Sequence, residues 1–147
     1  MRKLIFLFLL MGCITSCGYK DDELHGFDEQ IKKYNKKNNL GLKPTGSGLY
    51  LKVDSLGSGR LIQIQDSIWV RYSLRLLDGT IIENNPKPIG LKLNATIKGW
   101  QEALFALPIG STISCIIPPQ LAYGQQGNGK VGKDKILSFQ LKVIDAK

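Results

Sequence analysis

Residues 97–104 read IKGWQEAL, a short segment with the pattern of an amphipathic helix. Its apolar residues Ile97, Trp100 and Leu104 recur every three or four positions, which is the spacing of one face of an α-helix. The pattern stops near Pro108, because proline lacks the backbone donor that a helix interior needs. We therefore predict one short helix here that buries a single face.

Patterns of period two lie on both sides of this helix. Apolar and polar residues alternate in a series of extended segments, at 49–54, 62–64, 68–77, 80–83, 91–93, 112–117 and 137–143. Loops are predicted between them at 84–88 and 118–135. Several strands with hairpin connections around one central helix indicate an antiparallel α+β domain.

Two local features sharpen this prediction. In the first strand, Val53 falls on the apolar, inward face and Tyr50 on the polar, outward face. Asp78 and Gly79 directly follow the strand at 68–77. An Asp-Gly pair at that place predicts a two-residue type I′ turn, in which both central residues take positive φ.

The N-terminal residues have the composition of an export signal. A basic start precedes the apolar run 4–11 (LIFLFLLM), which is too short to span a bilayer as a helix. The run ends in small residues before Cys17, a pattern similar to the bacterial lipobox, in which the cysteine is acylated. We predict a lipoprotein signal peptide at 1–16 and lipidation at Cys17. Modification at Cys13, ordinary secretory cleavage and an anchoring segment remain open as alternatives.

Residues 17–46 are predicted to join the anchor to the domain. The polar and acidic stretch 18–23 (GYKDDE) predicts a flexible spacer. It also resembles the acidic export signals of Bacteroidetes surface lipoproteins, while a plain soluble tether remains open. A short helix is predicted at 27–38, because three apolar residues recur there at helical spacing: Phe27, Ile31 and Tyr34.

Charge and cysteine content limit the possible partners. Removing Arg2 and Lys3 from the formal charge of +8 leaves +6, and the lysines are scattered rather than set in a stripe with aromatic residues. This pattern argues against nucleic acid as a partner. If Cys17 carries lipid, Cys115 has no intramolecular partner, so we predict that it is a small buried apolar residue.

Four motifs in register resemble those of the FKBP immunophilins. They are Val70-Arg71-Tyr72, Leu77-Asp78-Gly79, the helical segment at 97–104, and Ala122-Tyr123-Gly124. The similarity covers a domain at 47–147, about 100 of the 147 residues. It implies an antiparallel β-sheet wrapped around a short central α-helix, and peptidyl-prolyl cis-trans isomerase activity in an apolar cleft.

The resemblance also implies roles for individual residues. Trp100 would form the floor beneath the proline ring, with Tyr72 and Phe139 as walls. Ile97 would offer a backbone amide to the substrate carbonyl, and Tyr123 a hydroxyl to the substrate backbone. The residues that match the family's cleft are Tyr72, Ile82, Glu83, Ile89, Thr96, Ile97, Trp100, Tyr123 and Phe139. The family requires no cofactor or metal, and the lone histidine, His25, lies in the predicted tether.

Departures from the family pattern keep other functions open. Ile82 and Ile89 stand where aromatic residues are common, Glu83 replaces aspartate, and Thr96 replaces an apolar residue. One alternative is a non-catalytic chaperone or scaffold lipoprotein associated with gliding motility or envelope assembly. Another is a basic surface protein that binds acidic polymers.

The leading prediction from the sequence is a monomeric isomerase held at the cell envelope by its lipid. Its partners would be proline-containing polypeptides, and its contact with the membrane would be through the lipid anchor alone. For Trp100 and Phe139, apolar periodicity by itself also predicts ordinary core residues, so a purely structural role remains open for both.

Overall fold

A computed structural model describes residues 18–147 as an antiparallel sheet with two α-helices. The elements are α1 (Asp21–Lys37), β1 (Lys43–Pro44), β2 (Tyr50–Ser55), β3 (Ser67–Leu76), β4 (Ile81–Lys92), α2 (Lys98–Leu104), β5 (Thr112–Ile117) and β6 (Leu137–Ala146), with single 3-10 turns at Leu93–Ala95 and Pro119–Leu121. Across the sheet the strands lie in the order β1-β2-β5-β6-β3-β4. The α+β prediction is confirmed.

The predicted signal peptide and its cysteines, Cys13 and Cys17, lie outside the described residues. Within 18–147, neither helix combines the length and apolar character needed to cross a bilayer.

The main core lies between the inner face of the sheet and α2. Alternate residues of β6 are buried there, as the sequence predicted: Leu137, Phe139, Leu141 and Val143. Gly99 brings α2 close to β5, because a Cβ atom at Gly99 would lie 2.4 Å from Cγ2 of Ile117. Cys115 is a buried free thiol, as predicted, and burial raises its pKa to about 12.

The turn between β3 and β4 differs from the predicted type I′ turn. The Gly79 N–H donates to Leu76 O at 3.0 Å, and the Leu76 N–H donates to Thr80 O at 2.9 Å. Gly79 has φ 93°, whereas Asp78 is not among the residues with positive φ. The connection is therefore a three-residue loop, a type I turn closed by a glycine bulge.

The predicted loop at 84–88 is wrong. β4 continues through it for 12 residues, from Ile81 to Lys92, with a register shift opposite the Val70–Tyr72 segment of β3. Pro86 and Pro88 interrupted the sequence pattern, but β4 lies at the edge of the sheet, where a residue without an N–H is tolerated.

The predicted strand at 62–64 is also wrong. The backbone of Ile62 bonds to the turn that follows α2: its N–H donates to Leu107 O and its carbonyl accepts from the Ala106 N–H, both at 2.9 Å. Ile62 is fully buried, so its apolar character reflects docking of a loop onto the core.

Helix α1 begins at Asp21, inside the stretch predicted as a flexible spacer, rather than at Phe27. Asp21 and Glu23 stand in its first turn, where carboxylates complement the positive end of the helix dipole. The Glu23 side chain also accepts the Lys20 N–H at 2.8 Å, which satisfies a free donor at the helix start.

Helix α1 packs on the outer face of the sheet. Ile31 is fully buried there, in a second cluster with Leu42, Tyr50, Ile116 and Ile136. The expectation that Tyr50 faces solvent is therefore wrong: the residue is 3% exposed, and its hydroxyl donates to Asp28 at 2.7 Å. Val53, expected inside, is 39% exposed. The outer face has its own cover, which strand alternation alone does not indicate.

Candidate active site

Three aromatic rings from three elements meet at one end of the core. Trp100 on α2 lies edge-to-face with Tyr72 on β3, with ring centroids 5.1 Å apart, and with Phe139 on β6 at 5.4 Å. Tyr72 and Phe139 are 6.2 Å apart. The register places their strands side by side, since Tyr72 pairs with Leu141 and Leu74 pairs with Phe139. Such ring packing fixes the shape of an apolar surface.

A carboxylate stands at the edge of this aromatic group. Glu83 on β4 pairs with Leu74 on β3, and it accepts a hydrogen bond from the Tyr72 hydroxyl. Lys130 approaches Glu83 from the long loop, with Nζ 3.3 Å from Oε1. Burial and the bond to Glu83 raise the pKa of Tyr72, so it stays protonated as a donor. The Tyr72 hydroxyl, aided by Lys130, lowers the pKa of Glu83 despite partial burial.

The start of α2 offers a free backbone donor. Ile97 caps the helix: its carbonyl accepts the N–H groups of Trp100 and Gln101. Its own N–H donates to no group within residues 18–147. Thr96 is held in place because its hydroxyl donates to Leu93 O at 2.7 Å and its carbonyl accepts from Gln101 at 2.8 Å. Ile97 is thereby fixed with its N–H unused.

Tyr123 closes the group from the loop between β5 and β6. The 3-10 turn Pro119–Leu121 precedes it, and the Tyr123 carbonyl accepts the Gly127 N–H at 3.1 Å. The Tyr123 hydroxyl has no hydrogen-bond partner among the described residues. A second donor is therefore available to a ligand.

Together these side chains enclose a cleft of about 320 Å³. It is lined by Tyr72, Leu74, Glu83, Ile89, Leu91, Ala95, Thr96, Ile97, Trp100, Tyr123, Asn128 and Phe139. Of the residues predicted from the sequence, only Ile82 is outside this lining. Ile82 lies at the register shift between β3 and β4 and packs against the core instead.

Several lining residues of the cleft were not predicted from the sequence. Leu74 and Leu91 are apolar strand residues, and their inward alternation was the available signal. Ala95 and Asn128 come from a short turn and a long loop. The sequence carries no periodic signal for such positions, because their placement depends on the tertiary path of the loop.

The match to a known family is direct. The family model described as FKBP-type peptidyl-prolyl cis-trans isomerase matches residues 59–144, which contain all the cleft residues named above. The chain belongs to this FKBP family.

Individual FKBP relatives agree with this assignment. The peptidyl-prolyl cis-trans isomerase Mip of Coxiella burnetii is 38% identical over 115 residues, covering 76% of this chain and 50% of Mip. FkpA of Escherichia coli strain K12 is 32% identical over 130 residues, covering 86% of this chain and 47% of FkpA. The chain thus spans about half the length of the curated relatives it matches.

Solved FKBP structures share the fold. The crystal structure of FkpA from Escherichia coli superposes with a TM-score of 0.75 at 30% identity, covering 86% of this chain and 60% of that one. A peptidyl-prolyl cis-trans isomerase from Pseudomonas syringae superposes with a TM-score of 0.74 at 26% identity, covering 88% and 97%.

Side chains of the kind that can bind metal ions also lie close together on α1, away from the FKBP cleft. Polar atoms of His25, Asp28 and Glu29 lie within 4.8 Å of one another. Both carboxylates are engaged by Lys32, at 2.7 and 3.1 Å, and Asp28 also accepts the Tyr50 hydroxyl. This cluster stabilises the helix and its docking, and it supplies nothing to the cleft.

Proposed function

We propose that the protein is a peptidyl-prolyl cis-trans isomerase acting on proline-containing polypeptides. The observation that carries this proposal is the aromatic cleft, in which Tyr72, Trp100 and Phe139 form an apolar surface beside two unused donors. A proline ring is small and apolar, so it suits a cleft of this size and composition.

The geometry suits rotation about an X-Pro bond. The barrier to that rotation is about 18–20 kcal/mol, because amide resonance holds the bond planar. The twisted amide has less charge separation than the planar one, so a water-poor apolar cleft favours it over the ground state. The Ile97 N–H and the Tyr123 hydroxyl can hold the substrate backbone while the bond turns. No nucleophile, metal or cofactor is needed for this reaction.

The first experiment measures exchange directly. NMR exchange spectroscopy on a Leu-Pro peptide should show faster cis-trans interconversion with the purified chain than without it. The Tyr72→Ala, Phe139→Ala double variant removes two walls of the cleft and should lose the acceleration. Because both residues pack in the core, circular dichroism must show that the variant is folded.

A milder pair of variants tests the donor. Tyr123→Phe keeps the ring and removes only the hydroxyl, so we expect kcat/KM to fall about three- to tenfold, the effect of one hydrogen bond. Tyr34→Phe is the matched control: Tyr34 lies on α1, and its hydroxyl likewise has no partner among residues 18–147. A folded chain that binds the peptide without accelerating exchange would instead identify a non-catalytic binding module.

We also propose that the protein works at the cell envelope, tethered by lipid on Cys17. The lipobox-like sequence before Cys17 supports this proposal. Mass spectrometry of the mature N-terminus should find an acylated Cys17, and Cys17→Ala should release the protein from the membrane fraction. A mature chain that starts elsewhere would refute the anchor and leave the isomerase proposal intact.

A further inference from the structure

A second groove lies beside the prolyl cleft. It has a volume of about 560 Å³ and runs between the N-terminal segment of the chain and the loop 119–127. Tyr19 and Leu24 line one wall, and Gln125 and Gln126 belong to the other. Tyr123 lines both the groove and the cleft, so the two adjoin at this residue. We call this feature the flanking groove.

We propose that the flanking groove binds the extended polypeptide segment next to the substrate proline. This inference deepens the proposed function and rests on it. It assigns to helix α1 and the segment before it a part in substrate binding.

The walls of the flanking groove are held in place by the fold. The Tyr19 hydroxyl donates to Asp134 Oδ1 at 2.7 Å, and the Tyr19 ring packs edge-to-face on Phe27 at 5.2 Å. Asp134 in turn donates its N–H to Gly124 O at 2.9 Å. These contacts join the N-terminal wall to the loop wall, so the groove is formed before any ligand arrives. Preformed sites lose less entropy on binding.

The chemistry of the lining selects the ligand. None of the described residues that line the groove is charged, although the chain carries a formal charge of +8. An anion, a metal ion or an acidic polymer would find no counter-charge there. Gln125 and Gln126 are exposed side chains that carry both amide donors and an acceptor. They can therefore pair with the N–H and C=O groups of a peptide backbone whatever its sequence.

The position of the groove beside the cleft identifies which stretch of peptide backbone would occupy it. An extended chain advances about 3.3 Å per residue, so a few residues on one side of the proline can reach past Tyr123. A substrate of four residues would fill the cleft alone, whereas a longer one would also occupy the flanking groove.

The test compares two peptides that share one central X-Pro tetrapeptide. One is the tetrapeptide itself, and the other has four uncharged residues added on each side. We expect kcat/KM of the purified chain to be about five- to thirtyfold higher for the longer peptide, as two hydrogen bonds would give. The Gln125→Ala, Gln126→Ala variant should remove that advantage and leave the tetrapeptide rate unchanged.

The matched control is Gln65→Ala, Gln140→Ala. Both glutamines are exposed, and neither lines the cleft or the groove. This control should keep the advantage of the longer peptide. Equal rates of the unaltered protein on both peptides would overturn the proposal. So would a groove variant that slows both peptides alike, or a groove filled by a second copy, visible as a concentration-dependent mass.

A binding measurement separates failure of this inference from failure of the proposed function. In it, the longer peptide carries alanine in place of proline, so the prolyl cleft is not engaged. NMR should show shifts of the Gln125 and Gln126 side-chain amide signals on titration. If these signals shift but the proline peptides show no acceleration of exchange, the flanking groove is supported and the isomerase proposal is refuted. If the proline peptides are isomerised faster but these signals do not shift, the groove proposal is refuted and the isomerase proposal is retained.

Discussion

At the scale of single residues, the bond between Tyr72 and Glu83 joins the cleft wall to the edge strand. The Tyr72 hydroxyl is partly buried and its ring packs on Trp100, so leaving the hydroxyl without an acceptor would cost free energy. Glu83 supplies that acceptor and stays ionised, because its pKa is lowered by the same bond. Lys130 balances the charge from the loop side. The longer glutamate, a departure from the family's aspartate, is thus fully engaged.

The pH dependence of stability should report this pair. Glu83 has a folded-state pKa below its ordinary 4.5, so its ionised form stabilises the fold above pH 4.5, and this is lost as pH falls through the folded pKa. Tyr72→Phe removes the bond that lowers the pKa most. We expect the Glu83 pKa to rise, and the free energy of unfolding at pH 7 to fall by about 1–2 kcal/mol. Urea unfolding from pH 2 to 7 and a carboxyl NMR titration measure both.

Tyr50→Phe is the control for this prediction. It also removes a hydroxyl that donates to a carboxylate, Asp28, but on the outer face of the sheet. It should lower stability without changing the Glu83 titration or isomerase activity. An unshifted Glu83 pKa in Tyr72→Phe would show that Lys130, rather than Tyr72, controls the ionisation.

At the scale of elements, α2 carries the cleft floor and must sit close to β5. Gly99 allows this approach, since a Cβ there would lie 2.4 Å from Cγ2 and 2.7 Å from Cδ1 of Ile117. Glycine normally weakens a helix by roughly 0.5–1 kcal/mol relative to alanine. The close packing of Gly99 on Ile117 offsets that cost. Trp100, the next residue, takes its position from this contact.

Gly99→Ala should therefore destabilise the protein, against the usual helix preference. We expect a loss of about 1–3 kcal/mol from overpacking, and lower isomerase activity as Trp100 shifts. Ile117→Ala removes all three atoms that the new methyl group would meet. In the double variant the cost of Gly99→Ala should largely disappear, which a double-mutant cycle of urea unfolding can measure. Strictly additive effects would show that the close contact does not govern α2.

The same elements show what the sequence could predict. β3, β5 and β6 were predicted because one face of each strand packs on the core. The buried face places apolar residues at every second position of the sequence. The prediction ended β4 too early, because a proline such as Pro86 normally breaks a strand. Proline is tolerated there because β4 lies at the edge of the sheet, and the sequence of the segment does not reveal that placement. The aromatic cleft residues followed from motif resemblance. Asn128 and Lys130 could not be predicted, because a loop with no periodicity brings them to the cleft.

At the scale of the whole molecule, the folded unit extends further toward the N-terminus than the domain predicted at 47–147. Helix α1 buries Ile31 against the outer face of the sheet, and β1 pairs with β2. Thr45, at the end of the predicted tether, also hydrogen-bonds to Glu102 of α2 at 2.6 Å, next to the bond from Ser47 at 2.9 Å. The segment predicted as a tether is thus tied to both faces of the domain.

Two shortened chains, 18–147 and 47–147, test whether this cover is part of the fold. Without α1, the buried residues Tyr50, Ile116 and Ile136 would meet water, and burying each large apolar side chain is worth about 1.5–3 kcal/mol. We therefore expect the shorter chain to be less stable by at least about 3 kcal/mol in urea unfolding and to self-associate in light scattering. Equal stability and a monomeric shorter chain would mean that α1 only rests on the sheet. Helix α1 also carries Leu24, which lines the flanking groove. We therefore expect the chain 18–147, but not the chain 47–147, to keep the preference for extended peptides.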